Sequence, residues 1–145
     1  MKVAIGADHA GFDEKERLKA TLEELGIDFV DVGTHSRDSV DYPDFARKVG
    51  ELVSGGAVDR GILVCGSGIG VAIAANKVPG VRAAQAWNEE TARLSREHND
   101  ANVLTLGARV LSENEIPKIV KAWFEASFQG ERHQGRINKI HEIEC

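Results

Sequence analysis

The chain has 145 residues, 42% of them apolar and 28% charged, and a net charge of −5. This is the size and balance of one globular domain, 1–145, and the acidic surplus argues against a general grip on nucleic acid or an anionic membrane. The apolar runs are too short to span a bilayer, no signal peptide is recognisable, and two cysteines make no disulfide framework. A cytoplasmic protein with free thiols is expected.

"KVAIGA" (2–7) reads as the first strand, followed by a helix with Leu18, Leu22 and Leu25 on one face. "DFVDVG" (28–33) is the second strand, and Phe45, Val49 and Leu52 mark the next helix. "GILVCG" (61–66) is a strongly apolar third strand that runs through glycines 66, 68 and 70 into a small apolar helix. "VRAAQA" (81–86), a helix over 88–98, and "NVLTLG" (102–107) complete the alternation. A capping-box pattern, "SENE" (112–115), opens a helix carrying Ile116, Ile119, Val120, Trp123 and Phe124. Pro117 lies deep for that start, so the helix itself begins near Asn114. The last segment, "GERHQGRINKIHEIEC", is a terminal helix with Ile137, Ile140 and Ile143 on its apolar face.

Strict alternation of strand and helix implies right-handed crossovers and helices on both faces of a sheet. The expected fold is α/β: a three-layer, doubly wound, five-stranded parallel sheet of order 2-1-3-4-5 with a C-terminal helix. Ligands in such sheets bind beyond the carboxyl ends of the strands near the switch point, here between strands 1 and 3. "ADHAG" (7–11) and "CGSGIG" (65–70) fall there.

The glycine loop has the form of an anion cradle, because successive backbone N–H groups attract negative charge and glycine lets a ligand come close. It also suits a tight strand-to-helix turn. Val71 breaks both the dinucleotide fingerprint, which wants glycine there, and a cysteine phosphatase loop, which wants arginine; a Walker loop is absent. Cys65, at a strand end against a helix start, is biased toward thiolate and is a candidate catalytic thiol, with Ser67 placed to hydrogen-bond the sulfur. Cys145, at the chain end, is given no role.

Asp8 and His9 follow strand 1, although Asp8 alone would also fit an acidic N-cap. His98 and Asn99 follow helix 4, where helix-end capping is an equal alternative. Both stretches are expected on the rim that carries Cys65, with Asp41 and Tyr42 of "SVDYPDF" (39–45) beside them. Arg136 falls about 40° from Ile140, inside the apolar face of the terminal helix, with Arg132 one turn back. Two guanidinium groups near His133, joined by Arg109, suit a phosphate dianion, unless they pair with the chain's own carboxylates. Asp8, His9, His98 and His133 have no metal-ligand spacing, so no metal is expected.

"DHAGF", "VDYPDFA", "GILVCGSGIGVAIAANK", "SREHNDANVLTLGAR" and "RHQGRI" together resemble the type B ribose-5-phosphate isomerases, a family that includes galactose-6-phosphate isomerase subunits. The resemblance spans nearly the whole chain. It implies a flavodoxin-like fold, a homodimer with shared active sites, and neither metal nor cofactor; whether dimers pair into tetramers is left open by the sequence. It implies Cys65 as catalytic base, His98 as the acid/base that opens the sugar ring, and Asp8 and His9 as substrate contacts. Gly66, Ser67, Gly68, Ile69, Gly70 and Asn99 would cradle the enediolate, and Arg109, Arg132 and Arg136 the phosphate. One branch replaces the cysteine with a glutamate at the position of Val71; this chain resembles the cysteine branch, with Ser67 where threonine is common. Trp87 and Asn88 fall at a variable place that could alter sugar preference. The expected activity is interconversion of ribose 5-phosphate and ribulose 5-phosphate. A hexose 6-phosphate such as galactose or allose 6-phosphate is the sister reading, and a nucleotide- or flavin-binding module the reading from another class.

Overall fold

A computed structural model of the chain describes residues 1–144; Cys145 lies outside them. Five parallel strands, β1 (Lys2–Ala7), β2 (Asp28–Asp31), β3 (Arg60–Cys65), β4 (Ala83–Gln85) and β5 (Val103–Gly107), alternate with helices. These are α1 (Phe12–Glu24), α2 (Tyr42–Ser54), α3 (Ile69–Ala75), α4 (Glu89–Asn99), α5 (Glu115–Glu125) and α6 (Arg132–Glu142). The two-residue period of the strands divides the core into two faces. Val3, Ile5, Ile62, Val64, Leu104 and Leu106 pack with Leu18 and Leu22 of α1 and Ile119 and Trp123 of α5. Ala4, Leu63, Cys65 and Val103 pack on the opposite face with Val49 of α2 and Val71 of α3. Three layers result, and Cys65 faces α3.

The order of the sheet is β2-β1-β3-β5-β4. The doubly wound parallel architecture is as expected, but the last two strands exchange places relative to 2-1-3-4-5. The reason lies in their composition. β5 is five residues long and buried throughout, whereas β4 is three residues long and only half-buried. An interior place in a parallel sheet needs a strand that is apolar on both faces, so β4 goes to the edge.

Helix starts follow local chemistry. Asn88 Oδ1 accepts from the Thr91 N–H (2.7 Å) while Thr91 Oγ1 accepts from the Asn88 N–H (3.3 Å), so Asn88 is the cap of α4. Ser112 and Glu115 make the reciprocal pair that "SENE" predicts. Pro117 is the third residue of α5, where a missing N–H costs nothing.

One core feature carries no hydrophobic signal. Lys15 is fully buried, and its ammonium meets Asp31 at 2.5 Å and Glu16 at 2.9 Å. Burial alone would raise the Asp31 carboxyl, but Lys15, Lys19 and the Gly33 N–H outweigh burial and hold it below the usual carboxylate range. A carboxyl depressed in the folded state adds stability at neutral pH, and that stability is lost as pH falls through its folded value. Asp31→Asn should therefore cost roughly 2–3 kcal/mol at neutral pH, less than a fully broken buried pair because Glu16 remains. Urea midpoints measured down to about pH 3 check this: the gap between wild type and variant should close at the acid end.

Candidate active site

The site begins where β1 and β3 end. An open cleft of about 620 Å³ is lined by Asp8, His9, Tyr42, Cys65, Gly70 and Arg109, with Ser67 and Ile69 on its edge. Cys65 is buried, and its Sγ accepts a hydrogen bond from the Gly68 N–H at 3.1 Å. The expected partner was the Ser67 hydroxyl. That oxygen instead accepts from the Ile69 N–H at 3.1 Å, because the loop turns Ser67 away from the sulfur toward the start of α3.

The glycines are required by close approach. A Cβ on Gly68, whose φ is +79°, would lie 2.9 Å from the Leu106 carbonyl carbon, and one on Gly70 would lie 2.6 Å from the Tyr42 ring. Gly11 is equally tight: a Cβ there would collide with the Val64 carbonyl, so "DHAG" needs its glycine to lay α1 against β3. Asp8 is not the cap of α1. Its Oδ1 accepts from the Gly11 N–H at 3.0 Å, closing a turn at the cleft wall, and α1 is capped by Gly11 without a side-chain bond. His9 Nδ1 accepts from the Val40 N–H at 3.1 Å, which leaves Nε2 as a donor at the cleft. Arg109 follows β5 and is held near the loop by its own N–H, which donates to the Gly66 carbonyl at 2.9 Å.

His98 and Asn99 do not share this rim. They end α4, which descends from the top of β4 to the start of β5, and the carbonyl of Asn102, just beyond, accepts from the Gly61 N–H at the start of β3. β3 and β5 pair from Gly61–Val103 to Cys65–Gly107. Four steps at about 3.3 Å put the His98 end and the Cys65 end roughly 13 Å apart along the strands, with the sheet between them. The expectation of one rim fails because a helix following a parallel strand must run back to the opposite edge.

α6 belongs to the His98 end. The Gln129 N–H donates to the Glu97 carbonyl, and the His133 ring stacks on His98 with centroids 4.5 Å apart and planes 16° from parallel. Burial, then the neighbouring His98, Arg132 and Arg136, push the His133 imidazole below its ordinary value, and its buried Nε2 has no partner among the described residues. Only His133 and Ile137 of α6 are buried; Ile140 and Ile143 stay exposed, as do Arg132 and Arg136. A cavity of about 700 Å³ is lined by Ile140 and Ile143 together with Arg82, Ala84 and Asn99. Among the described residues Arg60, Arg109, Arg132 and Arg136 pair with no carboxylate, whereas Arg17, Arg37, Arg47, Arg82, Arg93 and Arg96 all do; of the four, Arg60 lies over the Trp123 and Phe124 rings.

The Ribose/Galactose Isomerase family model matches residues 3–140. The chain belongs to that family. It is 47% identical over 143 residues to ribose-5-phosphate isomerase B of Escherichia coli, covering 99% of this chain and 96% of that one. The solved structure of ribose-5-phosphate isomerase B from Clostridium thermocellum superposes with a TM-score of 0.97 at 52% identity, over 99% of this chain and 97% of that one. The Mycoplasma genitalium enzyme, solved with bound ribulose-5-phosphate, gives a TM-score of 0.94 at 43% identity, over 97% and 94%. The family membership displaces the nucleotide- or flavin-binding reading.

Several residues of this isomerase were open or unseen in the sequence. Tyr42 lines the cleft, whereas Asp41 precedes it as the N-cap of α2. Trp87 is exposed and does not line the cleft. Ile69, Ile73 and Val110 form an exposed apolar border that a search for polar chemistry passes over. Among the described residues no group of three or more His, Cys, Asp or Glu side chains is arranged to hold a metal ion, and no helix is long and apolar enough to cross a membrane.

Gly68→Ala tests the loop. A left-handed conformation costs alanine about 1–2 kcal/mol, and the clash is with backbone that cannot yield. Turnover should fall at least a hundredfold, and the thermal midpoint should drop by several degrees.

Proposed function

We propose that the chain interconverts D-ribose 5-phosphate and D-ribulose 5-phosphate through an enediolate, in the cytoplasm, at sites shared between two copies. The observation that carries the shared site is the separation of two incomplete halves. Cys65 and the glycine loop stand at one end of the sheet, and His98, Asn99, Arg132 and Arg136 at the other. A second copy that brings its His98 end to the Cys65 cleft completes the set. Unpaired Arg132 and Arg136 and the uncovered Ile140 and Ile143 support that docking.

In this reading His98 moves the protons that open the sugar ring, with Asp8 and His9 holding the sugar hydroxyls. The Cys65 thiolate then takes the C2 proton of the aldehyde form. Charge develops on O1, and the backbone N–H groups of loop 66–70 with Asn99 stabilise it. The O2 proton passes to O1 and C1 is reprotonated, which gives the ketose. Arg132 and Arg136, with Arg109, hold the phosphate away from the reacting carbons and fix orientation. A site made of backbone donors needs nothing that a chelator removes, so turnover should survive exhaustive EDTA treatment. Loss restored by a divalent ion would contradict this mechanism.

Cys65→Ala should abolish turnover while leaving substrate binding largely intact, as followed by calorimetry. The shared site is tested by mixing Cys65→Ala with Arg136→Ala under conditions that let subunits exchange. If Arg136 acts across the interface, each mixed dimer holds one intact site and one doubly altered site. Random exchange then restores roughly a quarter of wild-type activity. Proven exchange with no recovery would overturn the shared site.

A further inference from the structure

We propose that Gln85 and Thr105, neither of which touches the cleft, are positioning residues that aim the loop N–H groups by holding the opposite ends of the same peptide units. The inference rests on the reading of Cys65 as the working thiol. In a trans peptide the C=O and the following N–H point in opposite directions, so fixing one fixes the other. Gln85 Nε2 donates to the Ser67 carbonyl at 2.6 Å, and the N–H of that same peptide unit, on Gly68, donates to Cys65 Sγ at 3.1 Å. Thr105 Oγ1 donates to the Gly68 carbonyl at 2.8 Å, and the N–H of that unit, on Ile69, donates to Ser67 Oγ at 3.1 Å. Two consecutive peptides are thus held from beneath by two side chains.

The chemistry fixes the sense of both bonds. A carbonyl can only accept, so Gln85 must present its NH₂ and Thr105 its hydroxyl proton. The two residues are register partners in the β4–β5 pair, which sets their side chains next to one another on one face. Thr105 is fully buried and Gln85 half-buried, and Gln85 Nε2 sits close over Gly68, 3.3 Å from where a Cβ on that residue would lie. The loop itself has little means of resisting rotation, since Gly66, Gly68 and Gly70 contribute no side-chain packing. Without the clamp, the 67–68 peptide is free to turn its N–H away from the sulfur. The loop is held in reach because β5, not β4, adjoins β3.

The test uses the full-length chain with Cys145→Ser, so that Cys65 is the sole thiol, and reads iodoacetamide alkylation against pH. Gln85→Met keeps the length and removes the donor; Thr105→Val keeps the shape and removes the hydroxyl; Thr105→Ser restores it. Near neutral pH, Gln85→Met should alkylate about tenfold more slowly, with the wild-type rate returning at high pH where any thiol is ionised. Thr105→Val should shift the profile in the same direction, and Thr105→Ser should match wild type. A merely structural loss of packing would not move the profile in this pH-dependent way. Profiles of folded Gln85→Met and Thr105→Val that overlay wild type would overturn the proposal, and Thr105→Val decides alone if Gln85→Met does not fold. Turnover read in parallel separates the two readings: kcat for ribose 5-phosphate should fall about tenfold with KM within twofold. A shifted profile with unchanged kcat leaves the clamp standing and removes Cys65 from the chemistry.

Discussion

The loop that leaves β3 lies directly on the backbone of β5, and most of the site's form follows from that contact. A side chain on Gly107 would meet the Ser67 carbonyl at 2.5 Å, and one on Gly68 the Leu106 carbonyl carbon at 2.9 Å. Two stretches of main chain can approach so closely only when both are bare. The approach brings the Ser67 and Gly68 carbonyls within reach of Gln85 and Thr105, which hold the Gly68 N–H against the Cys65 sulfur, and it leaves the cleft floor made of peptide groups. It also requires β5 as the neighbour of β3, which makes the order of the sheet a condition of the site.

How much of this was legible in the chain depended on whether the signal was local. "GILVCGSGIG" states its strand, its turn and its exposed backbone in ten residues, and "SENE" states its helix start, because each interaction spans a few positions. The exchange of β4 and β5 required weighing the burial of two strands against each other, and Arg82 and Gln85 around "AA" were the sign that β4 could not be interior. The placement of His98 with Cys65 failed on direction, because a motif's place along the sequence does not say which end of the sheet it reaches. Lys15 reads as a surface residue of an amphipathic helix; the return of Asp31 from β2, with Glu16 beside it, makes its burial tolerable. Gln85 and Thr105 were missed because their partners are carbonyl groups, which no residue type announces. A threonine inside a fully buried strand was the available sign.

The electrostatics follow the same division between ends of the sheet. In a chain with a net charge of −5, most arginines are neutralised by carboxylates on nearby turns or helices. Arg132 and Arg136 stand beside a histidine whose imidazole burial and cationic neighbours keep toward neutrality. Leaving cations unpaired in an acidic protein holds a local positive field for a dianion, and the proposed second copy is what would set that field opposite the thiol.

A cleft floored by peptide groups divides the molecule's freedom to change. Peptide groups have no identity to exchange, so Gly68 and Gly107 admit almost no drift without losing the contact between the loop and β5. The walls are different: Ile73 and Val110 are exposed side chains on the border of the cleft. Accommodation of a longer or differently branched sugar can therefore evolve at the walls while the floor stays as it is. Within such a lineage, a new substrate would leave its record in a few bulky side chains, and the glycines would carry no trace of the change.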